Sequence, residues 1–116
     1  YWSIYAQEDD GAAQATYNAS ADQANSTAAF NISRGVSTNN DDNCSGTVFL
    51  FAPSSTTFVK HFRALYNELN NTPGINQTFP AGYCNTTSAI DAVRFECSAG
   101  TFDGTIKMYG VGPKQS

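Results

Sequence analysis

A chain of 116 residues supplies polypeptide for one hydrophobic core, so a single domain spanning 1–116 is expected. Charged residues make up 14% of it, well below the roughly 25% of an ordinary soluble domain, while Asn, Ser, Thr and Gly carry the polarity. The net charge of -4 leaves no basic field for a phosphate backbone or an anionic membrane surface, and no run approaches the roughly 18 apolar residues of a bilayer span, so neither nucleic acid nor membrane is expected as a partner.

Hydrophobic residues reach 41% and aromatics 13%, concentrated in short runs, a balance that suits strands better than helices. The first strand is predicted over Tyr1 to Gln7. Because the sequence opens in mid-strand, it reads as the C-terminal part of a larger chain. Glu8 to Thr27 holds almost no large apolar residue and reads as one long surface loop. Ala28 to Arg34 is predicted as a strand with Phe30 and Ile32 on one face, followed by a polar loop over Ser37 to Ser45.

Gly46 to Ala52 is nearly continuous in apolar residues, the pattern of a central strand covered on both faces and stopped by Pro53. Phe58 to Leu69 fits both a helix and a strand, and the all-β context favours the strand. Asn70 to Gln77 is turn chemistry centred on Pro73 and Gly74, and Thr78 to Tyr83 offers a short edge strand. Ala89 to Ser98 alternates with Val93, Phe95 and Cys97 inward and Arg94 and Glu96 outward. A last strand over Gly104 to Val111 would complete a C-terminal hairpin. The expected core is Phe49, Phe51, Ile90, Val93, Phe95, Ile106 and Met108, and Phe95→Ala would then cost about 3 to 5 kcal/mol.

Candidate chemistry is sparse. His61 is the one histidine, and without an orienting partner or a nucleophile motif beside it, it reads as structural. Asp91 and Glu96 lie an odd number of residues apart on one predicted strand, so they face opposite sides of it and form no acid–base dyad. The acidic runs Glu8-Asp9-Asp10 and Asp41-Asp42 carry oxygen ligands suited to calcium but follow no EF-hand pattern, and read as solvated loops. Cys44, Cys84 and Cys97 match no metal or redox spacing; Cys97 reads as a buried small hydrophobe, and Cys44 with Cys84 is the pair considered for a disulfide. No metal, cofactor or catalytic residue is expected. Trp2, Tyr17, Tyr66 and Tyr83 are the aromatics singled out for partner or glycan contact.

Three blocks point further: Ser45-Gly46-Thr47-Val48-Phe49-Leu50-Phe51, Thr87 to Phe95 (Thr-Ser-Ala-Ile-Asp-Ala-Val-Arg-Phe), and Ser98 to Val111 with its terminal Gly104-Thr105-Ile106-Lys107-Met108-Tyr109-Gly110. In this order they resemble a jelly-roll-like β-sandwich domain of tailed-bacteriophage virion proteins. Members usually carry further strands before the position of Tyr1. The resemblance implies a non-enzymatic virion component, a capsid decoration or tail-appendage protein that packs against other subunits as a homo-oligomer. The alternative is a carbohydrate-binding or adhesion module recognising host-surface glycans.

Seven of eleven asparagines, Asn18, Asn25, Asn31, Asn43, Asn70, Asn76 and Asn85, begin an N-x-S/T sequon, where chance in so Ser- and Thr-rich a chain gives about two. This excess favours a secreted eukaryotic or viral-surface protein and stands against a phage origin.

Overall fold

The computed structural model describes residues 1–71 and 74–112. It is all-β: β1 (Trp2–Gln7), β2 (Ala13–Tyr17), a short 3-10 turn (Ala19–Ala21), β3 (Cys44–Leu50), β4 (Lys60–Asn70), β5 (Gly74–Phe79) and β6 (Ala81–Cys84). The six strands form one sheet in the order β2-β1-β5-β4-β3, and β6 also pairs with β4. Every pairing is antiparallel.

β4 organises the sheet. Its helix-compatible residues are drawn into extended structure because both of its edges find partners, and tertiary pairing overrides propensity. Tyr66 sits opposite Thr78 and Lys60 opposite Cys84, so β5 and β6 are one return strand in a single register, interrupted at Pro80. Proline cannot donate to the ladder, but its carbonyl accepts from the Ala64 N–H at 2.8 Å, and the pairing carries through.

Strand alternation then sorts the side chains onto two faces. Ser3, Tyr5, Lys60, Phe62, Ala64, Tyr66, Glu68, Asn76 and Thr78 share the inner face. Segment 28–37 lies across it: Phe30 packs edge-on against Tyr1 and Phe62 at centroid distances of 6.3 and 5.2 Å, and the Thr78 hydroxyl donates to the Ile32 carbonyl at 2.7 Å. The covered face is polar. Its buried polar residues are Ser3, Lys60, Glu68, Asn76 and Thr78, and Tyr1, Ala64 and Pro80 are buried beside them.

The outer face is largely apolar and is uncovered among the described residues. Register aligns Tyr17 with Trp2 and Trp2 with Phe79, and Leu65 continues the row on β4 opposite Thr47 of β3. All four large side chains of this row are exposed, Trp2 at 58% and Tyr17 at 50%.

Several expectations are corrected. The long loop after β1 contains β2, because the chain reverses between Gln7 and Ala12, with Asp10 at φ 59, a left-handed conformation that Asp tolerates. Residues 28–34 form no strand; their apolar side chains still face the sheet, but their polar backbone bonds run to side chains of β4 and β5. β3 is an edge strand with Val48 and Phe49 exposed, not a strand covered on both faces. β5 begins at Gly74, so Ile75 to Gln77 belong to a strand inside the sheet; Thr78 is paired on both sides, and Phe79 ends the strand opposite Trp2. The expected turn residue Pro73 lies outside the described residues. Residues 89–111 form neither predicted strand. Val93, Phe95, Ile106 and Met108 are exposed, as are Phe51 and Cys97, leaving Ile90 as the one expected core residue that is part-buried. Alternation marks residues that share a face; it does not supply a neighbouring strand to pair with.

Gly46 gives a direct check on the β3–β4 contact. A Cβ there would lie 2.3 Å from the Tyr66 ring and 2.5 Å from the Leu65 carbonyl oxygen. Gly46→Ala is expected to lower stability by about 1 to 3 kcal/mol in urea unfolding, whereas Gly110→Ala, which meets nothing within 4 Å, leaves it within about 0.5 kcal/mol. Equal effects would contradict the pairing.

Candidate functional site

The most heavily built polar cluster centres on Glu68, 2% exposed in the middle of the inner face. Its carboxylate accepts from the Ser33 hydroxyl, from the Arg34 N–H at 2.9 and 3.1 Å, from the Gly35 N–H at 3.2 Å and from the Asn76 amide at 3.5 Å. Successive backbone N–H groups thus cradle one anion, the arrangement of an anion nest. The nest is filled from within the chain.

Lys60, fully buried at the other end of β4, is held differently. Its ammonium donates to the carbonyls of Ser55, Phe58 and Thr86, the last two at 3.0 and 3.3 Å. This ties the β3–β4 connection to the start of the C-terminal segment. That segment meets the rest of the chain again at Pro53, whose carbonyl accepts from the Ile90 N–H at 2.9 Å.

The four singled-out aromatics do not converge. Trp2 and Tyr17 are cross-strand neighbours on the outer face, their rings 5.4 Å apart. Tyr83 shares that face at the far end of the sheet, against His61 at 5.9 Å. Tyr66 is on the inner face, its hydroxyl 2.9 Å from the Cys44 sulfur. Between the two outer clusters, Arg63 lies over the rings of Phe49 and Phe51 at 4.9 and 5.9 Å, a cation–π contact that leaves the patch largely apolar. The Tyr17 hydroxyl donates to Asp22, and this bond raises the phenol above its ordinary range and lowers the carboxyl below its own.

The cysteines are separated by register. Cys44 lies opposite Glu68 and Cys84 opposite Lys60; eight positions along β4 span roughly 27 Å, against the roughly 7 Å limit for a disulfide. Within one chain the considered Cys44–Cys84 pair cannot form.

The two acidic runs do meet. Glu8, Asp41 and Asp42 border a cavity of about 240 Å³ with Asn39, Asn70 and Asn71, and Asp42 accepts from the Asn39 amide at 3.0 Å. Among the described residues no three His, Cys, Asp or Glu side chains are gathered as a metal site.

The sequons divide. Asn76 is buried in the Glu68 cluster and Asn18 donates to Ser3 at 2.8 Å, while Asn25, Asn31, Asn43 and Asn85 are exposed. Part of the sequon excess therefore reflects asparagine used as a structural hydrogen-bonding residue. Glu68 does not stand out in the sequence, and Asn76 does so only as a sequon; the available signal was parity, since Glu68 lies two turns of the pleat from Ala64 and shares its face.

Comparison with protein-family models, curated proteins and solved structures returned no match.

Two measurements check the cluster. Glu68→Ala leaves the two N–H groups of the nest and the Asn76 amide without their acceptor and is expected to cost about 3 kcal/mol in urea unfolding; a loss under about 0.5 kcal/mol, the range of ordinary surface changes, would contradict its role. Burial, then the bond to Cys44, hold the Tyr66 phenol above its ordinary 10.0. The folded state therefore keeps a proton that the unfolded chain loses, and the stability this provides is full below pH 10 and fades as pH rises toward the folded-state value. Tyr66→Phe should flatten that alkaline decline in a pH series of unfolding curves.

Proposed function

We propose that this chain is a non-enzymatic structural protein of a tailed-bacteriophage virion, a capsid decoration or tail-appendage component that packs against neighbouring subunits. The observation that carries the packing part is the inverted sheet: its polar face is covered by the chain's own loop, and its apolar face is open. Tyr17, Trp2, Ile4, Phe79, Ile75, Leu65, Phe49 and Tyr83 are all exposed on that face. Together they line the apolar face from β2 to β6, and a standard-size stable interface takes about 800 Å² from each partner. A patch this large on a free monomer marks an interaction site.

The occupant we propose is a second copy of the chain. The patch carries little charge, with Arg63 stacked on aromatic rings, so it can meet itself across a two-fold axis without strong like-charge opposition. The β3 edge adds unpaired backbone groups beside it. The jelly-roll sandwich implied by the sequence blocks needs a second layer, and the open face is where such a layer would sit. The phage assignment rests on those sequence blocks.

Glycan recognition through aromatics is the second reading, favoured by the exposed Trp2–Tyr17 pair. The separation of Tyr83 and the opposite placement of Tyr66 leave that platform two rings wide.

Sedimentation equilibrium tests the packing. Self-association is expected, weakened at least about tenfold by Trp2→Glu, which would bury an uncompensated charge in the interface, with the monomer's melting temperature unchanged because Trp2 is exposed. A strictly monomeric wild type, or association indifferent to Trp2→Glu, would contradict it. Peptides of this chain in purified virions would support the particle assignment; their absence would remove it.

A further inference from the structure

A second cavity, of about 370 Å³, opens on the inner side of the sheet and is lined by Tyr5, Gln14, Arg34, Gly35, Asn70 and Asn76. Its volume lies in the range of small-molecule sites, and its lining is more polar than apolar, which favours a polar occupant with one apolar face. The wall contains two buried acceptors without partners among the described residues, the side-chain oxygens of Asn70 and Asn76. Asn76 is 4% exposed, and its orientation is fixed: Glu68 only accepts, so the Asn76 nitrogen must face it and the oxygen must point away. An unmet buried acceptor is costly, so hydrogen-bond donors from outside the chain belong there.

The remaining lining complements those acceptors. Arg34 is positioned by its own backbone N–H on Glu68, and its guanidinium has no ion pair among the described residues. Gln14 adds an amide able to donate and accept, and Tyr5 a half-buried ring beside them. Amide acceptors, a planar cation and one aromatic ring match a ligand rich in hydroxyl groups.

We propose that this cavity is a saccharide site, in which sugar hydroxyls donate to the Asn70 and Asn76 oxygens and Arg34 donates to a sugar oxygen. It is separate from the Trp2–Tyr17 face and does not depend on the subunit-packing proposal. The shared chemistry covers neutral and acidic sugars, and the arms of the test separate them.

Titration of the ¹⁵N-labelled chain with D-galactose and with D-glucuronate, followed by amide chemical shifts, is the experiment. Saturable shifts of the Gly35, Asn70 and Asn76 signals are expected with at least one sugar; tighter binding of glucuronate would identify Arg34 as a carboxylate clamp. Arg34→Ala keeps the backbone N–H on Glu68, and should weaken binding about tenfold, the loss of a charge-assisted bond. Gln14→Ala, on an exposed residue, is the second variant, and the amide spectrum of each reports whether it is folded. No saturable shift with either sugar would leave the cavity to water and overturn the site. Shifts confined to Trp2 and Tyr17, or binding unaltered in both folded variants, would overturn it equally.

Discussion

The interaction on which this structure depends is the capture of the Ser33-Arg34-Gly35 segment by the buried Glu68 carboxylate. A carboxylate taken out of water requires several donors in its place, and the sheet alone cannot provide them. Segment 28–37 supplies its backbone N–H groups, and the need to satisfy one anion fixes which side of the sheet is covered. Phe30 then packs on Tyr1 and Phe62, and Asn76 turns its nitrogen toward the anion. One charge thus determines both the shape of the polar face and the availability of the apolar one.

The partition between faces reverses the usual arrangement, in which an antiparallel sheet buries its apolar face and solvates its polar one. Here Ser3, Lys60, Glu68, Asn76 and Thr78 are inside, and Trp2, Phe79 and Leu65 are outside. Stable domains ordinarily place an apolar face against another layer. A neighbouring subunit provides that layer in the function proposed here.

Much of the sheet was legible in the sequence. The alternation of β1 and the apolar run of β3 located those strands, and the all-β context resolved β4 in favour of a strand. Register and burial were not legible. Nothing local distinguishes the buried Glu68 from the exposed Glu96, which forms a 3.0 Å ion pair with Arg94, since the difference lies in a segment more than thirty residues away folding over one of them. The same limit explains residues 89–111, whose clean alternation describes a strand that finds no ladder among the described residues. Asn76 was visible only as part of a sequon and a turn, although it proves to be a strand residue shared by the anion cluster and the polar cavity.

Cryo-electron microscopy of the intact source particle, with the domain fitted into density, tests the central claim most directly. The outer face is predicted to lie against a neighbouring subunit, with Trp2 and Tyr17 enclosed and segment 28–37 turned outward. An outer face open to solvent in the particle, or no density for this domain in any virion, would contradict it.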